Sequence, residues 1–140
     1  MGKLIISIFL FFSLLGSPCH SVSVVTNPSV HQQDISLLQL RAIYTLQQRH
    51  WPDGTPITVF RLSDSPQSLH PQFCQELLKV YPSQLDQLWD RLVFSGQAER
   101  PQSFNTPQEM LRAVAQTPGA IGYSDKKVSD DQVKFLPVKP

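Results

Sequence analysis

The densest chemistry in this chain lies in Arg61-Leu62-Ser63-Asp64-Ser65-Pro66-Gln67-Ser68. These residues follow Ile57 to Leu62, a β-branched and aromatic run that reads as a buried strand, and they precede a segment with helical spacing. An arginine at a strand end offers a planar fork to a phosphate or carboxylate. Serine hydroxyls donate hydrogen bonds, and free N–H groups at a helix start favour anions. The chemistry on offer is capture of an oxyanion, with Arg61, Ser63 and Ser65 as primary donors and Gln67 and Ser68 as secondary ones. The same residue types also fit a surface ion pair followed by a helix-capping turn, so the pattern alone leaves both readings open.

Nothing for bond-making chemistry accompanies this stretch. The sequence has no Gly-x-Ser-x-Gly, no phosphate-loop motif, no His-Glu-x-x-His and no cysteine pair for zinc. The expectation is a protein without enzymatic activity and without a metal or organic cofactor. His31, His50 and His70 fall among turn residues and are expected at the solvated surface. Asp125, Asp130 and Asp131 cluster near Lys126 and Lys127, but they lack the alternating oxygen ligands of a calcium loop and read as a solvated connection.

These residues must be positioned by a single domain, since 140 residues at 41% hydrophobic content match one ordinary globular core. Twelve Lys and Arg against eleven acidic residues argue against a nucleic-acid binder or a polybasic membrane-surface protein. Residues 1–21 read as a cleaved signal peptide: Lys3, then an apolar run from Leu4 to Leu15, then Gly16, Ser17 and Pro18 before Ser21. That run is shorter than the roughly 20 residues a membrane span needs, so the expectation is a periplasmic or secreted domain over residues 22–140. Removal of Lys3 leaves eleven basic residues against eleven acidic ones, and removal of Cys19 leaves Cys74 as the sole cysteine. Without an internal disulfide, stability rests on the core, where Cys74 is expected as an inert buried thiol.

Extended and helical patterns alternate after residue 22. Val22 to Val25 reads as a strand, and Ser36 with Gln39 reads as a capping box for a helix carrying Leu37, Leu40, Ile43 and Tyr44. Phe73, Leu77, Leu78 and Tyr81 fall at helical spacing up to Pro82, and Ser83 with Asp86 suits the cap of a following helix carrying Leu85, Leu88, Trp89 and Leu92. After a polar loop from Ser95 to Pro101, Thr106-Pro107-Gln108-Glu109 starts another helix that faces Met110 and Val114 to the core. Gly119 to Tyr123 and Val133 to Val138 read as strands. The alternation predicts an α/β architecture with a mostly parallel sheet flanked by helices.

Trp51-Pro52-Asp53-Gly54, Arg61 with Ser65 four residues on, and Pro118-Gly119-Ala120-Ile121-Gly122-Tyr123 occur in an order and spacing that resemble one lobe of the phosphate-binding proteins of phosphate ABC transporters. Trp89 and Phe94-Ser95-Gly96 extend the resemblance, which runs from about Val24 to Val138. It implies a single lobe of a type II periplasmic binding protein. In that family the second lobe carries an arginine at a strand end, a serine four residues later, then glycine and threonine at a helix start, and these groups hold the anion. Arg61 and Ser65 match; Pro66 stands at the glycine and Gln67 at the threonine. Proline removes an N–H donor there.

The resemblance implies phosphate or another oxyanion as the solute, held weakly, because the family's first lobe has no counterpart in this length. Each charge-assisted hydrogen bond forgone is worth about 1.5–3 kcal/mol, and about 1.4 kcal/mol is tenfold in affinity. Two functions of different class fit: a solute-binding lobe, completed by a homodimer or a partner protein, and a periplasmic protein-protein interaction module with a vestigial ligand site.

Overall fold

The computed structural model describes residues 22–65, 67–125 and 131–140. The segment read as a signal peptide, Pro66, and Lys126, Lys127 and Asp130 of the charged loop lie outside the described residues. In chain order the elements are β1 (Ser23–Thr26), β2 (Ile35–Ser36), α1 (Leu37–Tyr44), β3 (Thr58–Leu62), α2 (His70–Phe73) continued by a π-helical turn (Cys74–Leu78), α3 (Pro82–Phe94), β4 (Gln102–Phe104), α4 (Pro107–Gln116), β5 (Ala120–Ser124), β6 (Lys134–Leu136) and β7 (Val138–Lys139). Among them no helix is long and apolar enough to cross a membrane.

Five strands form one sheet in the order β4-β3-β5-β1-β6. β3 runs parallel to both β4 and β5, while β1 is antiparallel to β5 and β6. Four strands therefore point one way and β1 alone opposes them, which is the mostly parallel sheet the sequence predicts. β2 and β7 pair separately.

Strand alternation divides the core into two layers. Gly122 faces α4, where an added Cβ would lie 2.8 Å from Met110 Sδ and 3.1 Å from Val114 Cγ2. Its neighbour Tyr123 must face the other way, and its ring stacks on Phe73 with centroids 3.8 Å apart. α1, α2 and α3 share that second layer: the Trp89 indole donates to Tyr44 O at 2.8 Å, and the Tyr44 hydroxyl donates to Phe60 O at 3.0 Å.

Local chemistry sets most helix starts. Ser36 Oγ accepts the Gln39 N–H at 3.0 Å, and Thr106 Oγ accepts the Glu109 N–H at 3.2 Å. The expected capping box at Ser36 is half formed, because the Gln39 amide exchanges hydrogen bonds with Gln32 instead. α3 corrects the expected cap at Ser83: Pro82 is its first residue, with φ already suited to the first turn, and Gln84 Oε1 accepts the Tyr81 N–H at 3.1 Å. The segment before it is not one regular helix. It widens at Cys74 and ends at Lys79 with φ 57°, which turns Tyr81 out to 65% exposure rather than into the core. β4 emerges from a stretch that reads as polar, and the expected last strand is split at Pro137, which has no N–H for a ladder.

Two of the recurring motifs pack on each other. The turn at Trp51 to Gly54 is closed by Gly54 N–H to Trp51 O at 2.8 Å, and the Trp51 indole donates to Gly119 O at 3.0 Å. Gly119 has φ +75° and would place a Cβ 2.2 Å from Pro56 O, whereas Gly54, at φ +89°, faces open space. Gly119→Ala is therefore expected to destabilise by about 3 kcal/mol, combining a left-handed backbone with a main-chain clash, against about 1 kcal/mol for Gly54→Ala. Urea unfolding of both variants checks this; equal losses would show that the contact with Pro56 yields freely.

Candidate functional site

The chain leaves β3 toward β4 through α2 and α3 on one face of the sheet, and leaves β4 toward β5 through α4 on the other. Such a divergence opens a crevice beyond the carboxyl ends of the strands, where open α/β sheets receive ligands. Here the crevice is a cleft of about 350 Å³, walled by Leu62, Ser65, Gln67, Ser68, Leu69 and Gln72 on one side and by Asn105, Pro107 and Asp125 on the other.

Three of the residues singled out in the sequence meet in this cleft. Ser65 Oγ lies 3.0 Å from Gln67 Oε1, and Ser68 closes the turn with its N–H on Ser65 O at 2.8 Å. Ser63 and Arg61 are not among its walls. Ser63 ties its N–H to Phe104 O at 2.9 Å, prolonging the β3–β4 ladder.

Arg61 is 3% exposed because strand alternation points it into the α2 and α3 layer, while Leu62 faces the cleft. Its guanidinium bonds Asp64, lies 3.2 Å from Asp86 Oδ1 and sits 5.2 Å from the Trp89 ring centre; its Nε donates to Leu62 O at 2.9 Å. Arg100 joins the network through Asp86 and Asp90. Two guanidiniums thus face three carboxylates, and little positive potential is left to project into the cleft.

His70 reverses the surface placement expected for it; His31 and His50 are exposed, but His70 has no accessible surface. Its Nδ1 lies 2.6 Å from the Tyr123 hydroxyl, which accepts the Leu62 N–H at 2.9 Å. Its Nε2 lies 3.5 Å from Cys74 Sγ. The spacing of His70 and Cys74, one helical turn apart, was the available sequence signal for this pair. The pair is not an activated nucleophile: burial pushes the thiol up to about 12, with Arg61 opposing. Burial, aided by Arg61 and opposed by Asp64, pulls the imidazole down to about 4. Both groups stay neutral near pH 7, the opposite of a thiolate–imidazolium pair. Asp131 does not line the cleft, and among the described residues no cluster of His, Cys, Asp and Glu could hold a metal ion.

No protein-family model matches this chain, and no curated protein matches it in sequence. Among solved structures it is similar to a Clostridium perfringens protein described as a phosphate ABC transporter substrate-binding protein with bound phosphate, with a TM-score of 0.67 and 21% identity over 84% of this chain and 44% of that one. It is also similar to PstS from Borrelia burgdorferi, with a TM-score of 0.65 and 15% identity over 84% and 47% of the two chains. An ABC-type phosphate transport receptor from Vibrio cholerae gives 0.60 and 17% over 84% and 45%. The likeness shows a shared fold, that of periplasmic binding proteins, and this chain spans less than half the length of each of these structures.

Two outcomes follow from the buried charges. Arg61→Ala is expected to cost about 2–3 kcal/mol in denaturant unfolding, less than a fully buried pair because Asp64 and Asp86 are partly solvated. Arg61→Met, which keeps the contact with Trp89, should recover part of that loss; equal losses would mean that charge alone is at stake. For His70 the folded value near 4 lies below the ordinary 6.5, so the unfolded chain binds the extra proton between them. Stability present above pH 6.5 is then lost as the pH falls toward 4, by about 3 kcal/mol. Unfolding of wild type and His70→Gln across that window isolates this contribution, and parallel curves would refute it.

Proposed function

We propose that this chain is an exported, non-enzymatic solute-binding lobe whose solute contact is the cleft at the strand ends. The observation that carries this is the convergence of Ser65, Gln67 and Ser68 on one crevice at the divergence of β3, in a fold shared with proteins named for phosphate transport. The cleft volume of about 350 Å³ is at the lower end of ligand sites.

The solute in this reading is phosphate or another oxyanion, met by neutral donors. Ser68 supplies a hydroxyl and Gln67 an amide N–H, Ser65 orients that amide by donating to Gln67 Oε1 and can turn its hydroxyl to the solute, and Arg61 acts from behind by holding Asp64 and hence the turn that carries Ser65. Ser63 fixes the same turn to β4. The start of α4 adds few free donors, because Pro107 lacks an N–H and Thr106 takes that of Glu109. Asp125 on the rim opposes a multiply charged anion. Affinity set by this lobe alone is therefore weak.

Calorimetric titration of the full chain with phosphate, and with sulfate as a control, tests the reading. The expected result is a dissociation constant on the order of 1 mM, weakened at least about tenfold in a Ser65→Ala, Ser68→Ala double variant that unfolds like wild type. Absence of heat at tens of millimolar, or heat indifferent to the double variant, would overturn it.

A further inference from the structure

His70 joins the cleft wall to the sheet. Its main-chain N–H donates to Ser68 Oγ at 3.1 Å, and Ser68 in turn bonds Ser65. Its ring meets the Tyr123 hydroxyl, which also receives Leu62 N–H, so one side chain ties the wall to the ends of both β3 and β5.

The tyrosine oxygen accepts the Leu62 N–H, and the arrangement that gives the buried tyrosine proton an acceptor places it on Nδ1, which leaves the imidazole proton on Nε2, toward Cys74 Sγ. A proton added at Nδ1 sets two donors against each other on one contact. Both rings are fully buried, so the displaced proton finds no water.

The surroundings add to the conflict. The groups facing His70 are Arg61 from β3, Asp64 from the turn, Cys74 from the π-helical turn, Tyr123 from β5, and the Trp89 ring from α3, with Asp86 of α3 beyond it bonded to Arg61. Burial and Arg61 outweigh Asp64 in disfavouring the cation. The ladders of β1 with β5 and β6 use main-chain groups, Tyr123 entering only through its backbone opposite Val24, and the indole of Trp51 on Gly119 involves none of these side chains.

We propose that His70 is a proton-operated latch: neutral, it holds Ser65, Gln67, Ser68 and Leu69 as the cleft wall against β3 and β5, and protonated, it releases that wall while the sheet stays intact. The latch goes beyond the solute-binding reading and needs no bound solute to be observed.

Amide hydrogen exchange followed by NMR on the full chain tests it. Protection at the Ser68 and His70 amides is expected to fall about tenfold for each pH unit between about 6.5 and 4. The Val25 and Gly122 amides in the sheet, which exchange by global unfolding, share that slope but should stay at least about tenfold better protected than Ser68 and His70 at every pH, because the wall opens without the sheet. His70→Phe should abolish that dependence, and Tyr123→Phe, which keeps the ring and loses the hydroxyl, should lower Ser68 and His70 protection at least about tenfold already near neutral pH. Protection at Ser68 and His70 equal to that at Val25 and Gly122, a dependence at Ser68 that survives in His70→Phe, or unchanged protection in Tyr123→Phe would each overturn the latch. Because the readout contains no phosphate, failure of phosphate to bind leaves this result standing, and the reverse holds as well.

Discussion

A buried hydroxyl must find partners or its desolvation is uncompensated, and in this protein the hydroxyl of Tyr123 meets that requirement by joining three segments distant in sequence. It accepts from Leu62 at the end of β3, meets the His70 ring at the start of α2, and belongs itself to β5. The tyrosine ring stacks on Phe73 and leans on Tyr44, so the polar contact is framed by aromatic packing that excludes water. Through His70 this junction reaches Ser68 of the cleft wall and Cys74 of the π-helical turn behind it.

Arg61 shows how a residue with ligand chemistry becomes a structural one. The guanidinium could have faced the cleft, but its place in the strand alternation sends it under α3, against Trp89 and between Asp64 and Asp86. There its charge is spent on holding the outgoing turn. The cleft is left with hydroxyls and amides, which orient a polar solute without attracting it over distance.

The sequence carried much of the fold in local form. Ser36 and Thr106 announced their helices because an N-cap is a contact across three residues, and the apolar runs Ile57 to Leu62 and Gly119 to Tyr123 announced strands because a central strand is buried on both faces. Of the motif residues, Trp51 and Gly119 meet in a tight approach between the 51–54 turn and the start of β5, while Gly54 serves only the turn. Of the candidate site, Ser65, Gln67 and Ser68 were legible as a turn leaving a strand toward a helix, which is a local arrangement.

The remainder lay outside local reach. Pro82 could end one helix or begin another, and the widened turn at Cys74 decided for the second by rotating Tyr81 into solvent. His70 looked like a turn residue until Tyr123, 53 positions away, supplied a partner and a lid. By itself the sequence determined the helices α1 and α4, the strands β1, β3 and β5 and which residues leave the end of β3, because periodicity and capping act over a few residues. Only the tertiary structure decided that Arg61 points inward and His70 is buried, because both depend on carboxylates, rings and a hydroxyl brought together from distant parts of the chain.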